Sequence, residues 1–299
     1  MIYTYGFYKD IFLHLLTNLP KDSIQKIGQL TKLNKVINEG DLVLFFNWGE
    51  GARRFQQRMI NTYGDNIVTF PNFTRALMLD DRIWMCQAIG AVTKYPLKRE
   101  YIKGNTVDLK DYSVPNIGDK VVVKIGNEHQ GEGKYLKVPG DLVRTKQSVV
   151  FEEFIPNARS IRIMTLDGTK DTLFIVEHVN SKFAKLNSET SWIKNIDPVE
   201  TVYSYEERYN LGIKEIDNMI REVLKYYVGS FNTPYIGVDF VVNDEKIGLL
   251  EVNDMIGLPD DARVKEKAKA IFLSLAEDYL RYTKGLTIPN DSILASCLS

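Results

Sequence analysis

The stretch from Ile236 to Gly257, IGVDFVVNDEKIGLLEVNDMIG, constrains the chain more than any other. Two runs of strand-forming residues, Tyr235–Val242 and Lys246–Asn253, flank a polar turn, Asn243-Asp244-Glu245, which is the pattern of a β-hairpin. Most positions are branched aliphatics, as strands inside a core require. Asp239, Glu251 and Asn253 stand apart, because burying an unpartnered charge is costly. Side chains alternate faces along a strand, so Glu251 and Asn253 share one. A turn of three residues puts Asp239 on that face too, opposite Leu249 and diagonal to Glu251. Two carboxylates and an amide oxygen then converge, a hard-oxygen set suited to magnesium with a phosphate ligand. A solvated face of an edge hairpin accounts for the same residues equally well when the hairpin is considered alone.

The chain has 299 residues and a net charge of −1, with 44% hydrophobic and 26% charged residues, the balance of a globular protein with room for two or three subdomains. Near-neutrality argues against a dedicated nucleic-acid or membrane surface. No apolar run has the length of a membrane span, and the first residues, MIYTYGFYKD, lack a basic-then-apolar signal design. The two cysteines, Cys86 and Cys297, do not make a disulfide framework, so a reducing cytoplasm is the expected compartment.

Residues 1–92 alternate strand and helix patterns and predict a small open α/β layer. Its clearest strand is Asp41–Phe46, and a single helix is expected over Thr74–Ile89, ending at Gly90. Asn47-Trp48-Gly49-Glu50-Gly51 follows the best strand, where open α/β sheets bind ligands, although a tight strand-to-helix turn needs the same glycines. Arg53 is read as part of a solvated helix face, with an acidic substrate group as the sharper alternative. A basic connecting segment, 93–110, leads into a region of strands. There KVVVKIGNEHQGEGKYL places Lys124 before Gly126, Gly131 and Gly133. Such a loop lets backbone N–H groups approach phosphate oxygens, and it is also what a long hairpin loop looks like. It is not the G-K-[ST] pattern of the P-loop. Residues 191–205 read as polar loop, and 212–228 and 261–282 as amphipathic helices, the second capped by Asp260 or Asp261. The three histidines, His14, His129 and His178, have no metal-ligand spacing, and His178 reads as structural.

Taken in order, these motifs resemble the ATP-grasp ligases, and are most similar to the RimK-type amino-acid ligases and bacterial glutathione synthetases. The resemblance rests on GVDF, the spacing from Asp239 to Glu251, E-V-N, the lysine before a glycine loop, SVVFEEFI and Ile161-Arg162, and it covers roughly residues 75–257. It implies an α/β fold with an N-terminal layer (1–92), a central subdomain carrying the glycine loop (93–158) and a C-terminal subdomain carrying the metal hairpin (159–299), the last two clasping ATP. It implies that Asp239, Glu251 and Asn253 hold Mg2+, with Mn2+ as an alternative ion. Lys124, Gly126, Gly131 and Gly133 would face the phosphates. Glu152 and Glu153 would lie beside adenine, with the backbone at Phe154 and Ile155 pairing with its edge. Arg162 would steady the transferred phosphate, and Lys185, in the segment Lys182–Asn187, would stand where relatives carry an arginine. Arg82 would fill the first phosphate-binding position, with Arg75 as its rival. The chain departs from the pattern at Ser160, where relatives carry an acid, and at Asp254–Gly257, which replaces a proline-glycine step.

The activity implied is ATP-dependent joining of a carboxylate to an amine through an acyl phosphate, with release of ADP. The partners would be small-molecule or peptide acids and amines, with no nucleic acid and no membrane, and the chain leaves room for a homo-oligomer. Two other functions fit the same residues: a phosphotransferase on this fold, and a non-catalytic ATP-binding regulatory module.

Overall fold

The computed structural model describes residues 1–47, 50–104, 107–127, 133–180, 192–193, 198–229, 234–254 and 256–298. Strands β1 (Ile2–Tyr5), β2 (Ile24–Lys26), β3 (Leu42–Phe45) and β4 (Val68–Phe70) form a parallel sheet in the order β2-β1-β3-β4. Parallel pairing needs crossovers, and α1 (Lys9–Asn18), α2 (Leu30–Val36) and α3 (Glu50–Tyr63) supply them. Every position of β3 is buried, which is why its sequence is a continuous apolar run.

The single helix expected over 74–89 is two helices, α4 (Phe73–Asp80) and α5 (Arg82–Val92). Asp81 leaves helical geometry between them, and its carboxylate accepts from the Trp84 N–H at 3.0 Å. That is an N-cap, and it places Arg82 at the first position of a new helix.

The next strands are β5 (Arg99–Ile102), β6 (Lys110–Ser113), β7 (Val121–Ile125), β8 (Lys134–Lys137), β9 (Leu142–Thr145) and β10 (Val149–Glu153). Four of them make an antiparallel sheet ordered β5-β10-β7-β8, and β6 pairs with β9.

A larger antiparallel sheet follows, ordered β13-β12-β11-β14-β15. Its members are β11 (Arg159–Thr165), β12 (Leu173–Asn180), β13 (Pro198–Ser204), β14 (Ile236–Val242) and β15 (Ile247–Asn253). β13 corrects the polar loop expected at 191–205: residues 198–204 are an edge strand, whose outer side tolerates polar residues. The amphipathic stretch 212–228 divides into α6 (Ile216–Glu222) and a π-helical turn over Val223–Val228. Helix α7 (Ala262–Tyr282) is capped by Asp261, which accepts from the N–H groups of Arg263 at 2.8 Å and Val264 at 3.3 Å, and a short α8 (Ile293–Leu298) ends the described chain.

One face of the large sheet, carrying Ile161, Ile163, Val238 and Phe240, is packed against α5 and α6. By the two-residue period the other face carries Arg162, Asp239 and, across the ladder, Glu251. Each sheet is drawn from one of the segments 1–92, 93–158 and 159–299, but α7 is not confined to its own unit. Phe272 and Leu275 share a core with Leu15, Leu42 and Phe70 of the first layer, and the Tyr279 hydroxyl lies 2.7 Å from the Gly40 carbonyl oxygen, to which it donates. No helix among the described residues is long and apolar enough to cross a membrane.

Candidate active site

The β14–β15 hairpin turns through four residues rather than three: Val242 faces Ile247, and the Asn243 N–H donates to the Lys246 carbonyl at 3.0 Å. In a regular ladder that even count would set Asp239 opposite Leu250 and send Glu251 to the other face. A bulge between Asp239 and Phe240 absorbs Leu250 as an unpaired extra residue. Asp239 therefore stands directly opposite Glu251, not opposite Leu249 and diagonal to Glu251 as the odd turn predicted. Turn and bulge together restore the parity that brings the three polar residues together. The Asn253 amide completes the set, its Nδ2 lying 3.5 Å from Asp239 Oδ2.

Arg162 reaches Asp239 from the other neighbouring strand. The two residues are ladder partners, and Nε and Nη2 donate to the two carboxylate oxygens at 2.6 and 2.8 Å. Burial works against the guanidinium's charge, but Asp239 outweighs it and raises the Arg162 pKa.

The central sheet brings a second charge cluster to the same place. Lys124 Nζ is 2.7 Å from Glu152 Oε1, and the other oxygen of Glu152 takes the Arg99 guanidinium at 2.6 Å, all three side chains being almost wholly buried. Burial favours the neutral Glu152 carboxyl, but Lys124 and Arg99 prevail and hold it below the usual carboxylate range. The same guanidinium donates to the carbonyls of Leu249 at 2.6 Å and Leu250 at 3.1 Å. Arg99 thus ties the lysine strand to the bulge that positions Glu251. Sequence reasoning passed over Arg99 as one charge in a basic segment; its only signal was its place in a strand facing E-E-F-I.

Lys134 was missed as well. It is the ladder partner of Lys124 on β8, and together with Lys124, Arg82 and Arg162 it surrounds Glu251. Burial opposes ionisation of Glu251, yet these four cations outweigh it and keep the carboxyl well below its ordinary value.

Two of the three glycines of the phosphate-loop candidate, Gly126 and Gly133, lie within the described residues. Gly126 has φ +61° and Gly133 φ +65°, left-handed geometry that side chains resist. Gly131 and Lys185 lie outside the described residues. Arg82 donates to the Gly126 carbonyl at 2.7 Å, and its N–H to Asn127 Oδ1 at 3.2 Å. Arg75 donates to the Ser296 carbonyl at 3.1 Å. Arg53 binds Asp80 and the Asn127 carbonyl, which corrects its reading as a solvated helix face.

A cavity of about 340 Å³ opens beside these charges. Its lining combines the charged side chains of Lys124, Lys134, Glu152 and Glu251 with apolar ones such as Val122, Phe154, Ile155 and Leu250. The size and the mixture of charged and apolar lining suit a flat heteroaromatic group joined to an anionic chain. The Phe154 N–H donates to the Lys120 carbonyl at 3.3 Å. Glu153 also lines the cavity, accepting from the Lys98 N–H at 2.7 Å and from Lys246 at 2.6 Å. Glu152 does so with its carboxylate already taken by Lys124 and Arg99. Ser160 lies on the same wall, and His178 faces it across the ladder while its Nε2 sits 3.3 Å from Glu200.

The donor set fits a hard divalent cation. Among the described residues there is no group of three His, Cys, Asp or Glu side chains that would form a self-sufficient metal centre. Two carboxylates and an amide oxygen are an open set, which leaves coordination positions for phosphate oxygens and water.

No family model matches the sequence, and no curated protein matches it. Solved structures do. D-alanine–D-alanine ligase from Bacillus anthracis superposes with a TM-score of 0.56 at 15% identity, over 95% of this chain and 98% of that one. The same enzyme complexed with ATP gives 0.53 at 15% identity and the same coverage. The ATP-grasp ligase PsnB, complexed with a minimal precursor, gives 0.52 at 10% identity, over 91% of this chain and 98% of that one. The chain therefore has the ATP-grasp fold, as the order of its motifs predicts.

Proposed function

We propose that the protein is an ATP-dependent carboxylate–amine ligase that works through an acyl phosphate and releases ADP. The observation that carries this reading is that Glu251, Lys124 and Lys134 line one nucleotide-sized cavity, with Asp239 the ladder partner of Glu251 and Arg162 the ladder partner of Asp239. A binding module needs no such concentration of opposed charge, whereas phosphoryl transfer depends on positioning and charge neutralisation. The solved neighbours support it in kind: one is a ligase complexed with ATP, and PsnB has been captured with Mg and ADP.

In this reading adenine lies against the apolar lining at Ile155 and Leu250, and the triphosphate runs toward Lys124. Asp239, Glu251 and Asn253 would hold magnesium, which when bound supplies charge neutralisation to the phosphates. A substrate carboxylate oxygen attacks the γ-phosphorus, the bond from γ-phosphorus to the bridging oxygen breaks, and ADP leaves. An amine then attacks the acyl carbon and expels inorganic phosphate, losing a proton to the medium. Arg162, fixed by Asp239, presents its remaining N–H groups toward the transferred phosphate. The acid and amine are small molecules or peptides, and a cytoplasmic setting matches an ATP-consuming enzyme.

The test uses hydroxylamine, which intercepts acyl phosphates. With Mg-ATP and a pool of amino acids and short peptides, ADP should form only with particular acids, and hydroxylamine should convert those acids to hydroxamates. ADP release with a phosphorylated product resistant to hydroxylamine would replace the ligase with a phosphotransferase.

A further inference from the structure

Lys124 and Lys134 are direct partners in the β7–β8 ladder, and both line the cavity. Like charges directly opposite each other on a sheet repel, so such a pair persists only where anions compensate it. Lys124 has its anion, Glu152, at 2.7 Å. Arg99 shares that carboxylate, and Arg162 is held by both oxygens of Asp239. Lys134 has no such partner: among the described residues no carboxylate lies within ion-pair distance of its ammonium. Burial pushes the ammonium's pKa down, Glu251 opposes that shift, and Lys124 and Arg82 add to it. Lys134 also follows Gly133, whose left-handed backbone (φ +65°) turns the chain into β8 at this point.

We infer that Lys134 is a phosphate-binding residue, contributing to the anionic chain of the nucleotide the charge that Lys124 and Arg162 have already committed to Glu152 and Asp239. This rests on the nucleotide-binding reading above. The ammonium lies across the ladder from Lys124, so a polyphosphate entering between them is gripped from both strands. The anion then compensates the lysine that Glu152 leaves without an ion pair and lies beside the carboxylate proposed to hold the metal. A purely structural lysine, present to offset Glu251, would influence folding and leave discrimination among nucleotides untouched.

The experiment is calorimetric titration of the full chain with adenosine, AMP, ADP and ATP in magnesium buffer, for wild type, Lys134→Ala and Lys134→Arg, with urea unfolding of each. Loss of one charge-assisted hydrogen bond predicts a Kd for ATP raised about tenfold to a hundredfold in Lys134→Ala. Adenosine affinity should stay the same, and Lys134→Arg should recover most of the loss. Two results overturn the assignment: ATP affinity in Lys134→Ala within about twofold of wild type, or an equal loss for adenosine and ATP. Wild-type protein that binds no adenine nucleotide overturns the nucleotide reading itself, and the assignment with it.

Discussion

Arg162 and Asp239 stand opposite each other on adjacent strands, joined by two charge-assisted hydrogen bonds of 2.6 and 2.8 Å. Asp239 is also the ladder partner of Glu251, so one aspartate links the arginine to the carboxylate proposed to hold the metal. A carboxylate that accepts two N–H bonds still has lone pairs left for a cation. The arginine therefore orients Asp239 without preventing it from acting as a ligand.

Removing the arginine leaves that aspartate buried with its charge uncompensated. Arg162→Met should cost about 3–5 kcal/mol in urea unfolding and abolish turnover. Adding Asp239→Asn should recover part of the lost stability, because the stranded charge is gone. Additive losses in the double-mutant cycle would show that the two side chains are not coupled.

Much of this arrangement could be read from residue order. Asp239, Glu251 and Asn253 announced themselves as polar intruders in a buried hairpin, and Lys124 as a charge ending a β-branched run. The bulge at Leu250 could not be read, because a turn of three with a regular ladder and a turn of four with a bulge give the same facing pattern. Asp81 was hidden inside a continuous helical periodicity, although an aspartate three residues before the last of Arg82-Ile83-Trp84 is a legitimate cap signal. Lys134 and Arg99 were illegible for another reason. Each acquires its role from a partner on a different strand, Lys124 for one and Glu152 with the bulge carbonyls for the other. The docking of α7 onto the first layer is of the same kind, since an amphipathic helix states which face is buried but not against what.

Glu251→Gln preserves shape and removes a charge, and should eliminate turnover while the protein stays folded. Two neighbouring carboxylates on their own would repel each other, and thinning them would stabilise the protein. The structure instead puts four cations around Glu251, so the substitution should lower the melting temperature. The pH dependence follows from the depressed pKa. The stabilising contribution is fully present above the ordinary glutamate value of about 4.3 and is lost as pH falls through the folded value. The melting-temperature gap between wild type and variant should thus be constant from neutral pH downward and close only in acid. A gap that is unchanged in strong acid would contradict this.

Asp81→Ala removes the cap of α5 and should destabilise the protein by about 1 kcal/mol. Its more specific effect is on Arg82, whose N–H and guanidinium hold Asn127 and Gly126. Fraying of the first turn should loosen that hold and raise the KM for ATP, with kcat less affected. Asp81→Ser, which can still cap, should restore both values.

Gly237 lies two residues before Asp239, opposite Asn253 in the ladder. A Cβ built there would overlap the Ile256 Cγ2 methyl and approach Arg162 Cδ to 3.3 Å. Ile256 is almost fully buried and branched at Cβ, so it cannot swing aside as a long flexible chain could. Overpacking of this kind typically costs about 1–3 kcal/mol. Relief of the Ile256 overlap needs a shift of the strand or of Ile256, and the tight contact with Arg162 passes that shift to the guanidinium that holds Asp239. Gly237→Ala should therefore lower kcat far more than its modest loss of stability would suggest, while adenosine binding, proposed to depend on Ile155 and Leu250, remains as in wild type. The pairing of kinetics with adenosine titration decides the matter. A variant of unchanged kcat would mean that Arg162 is not held where the chemistry needs it, and a loss of adenosine binding would mean that the whole sheet had shifted.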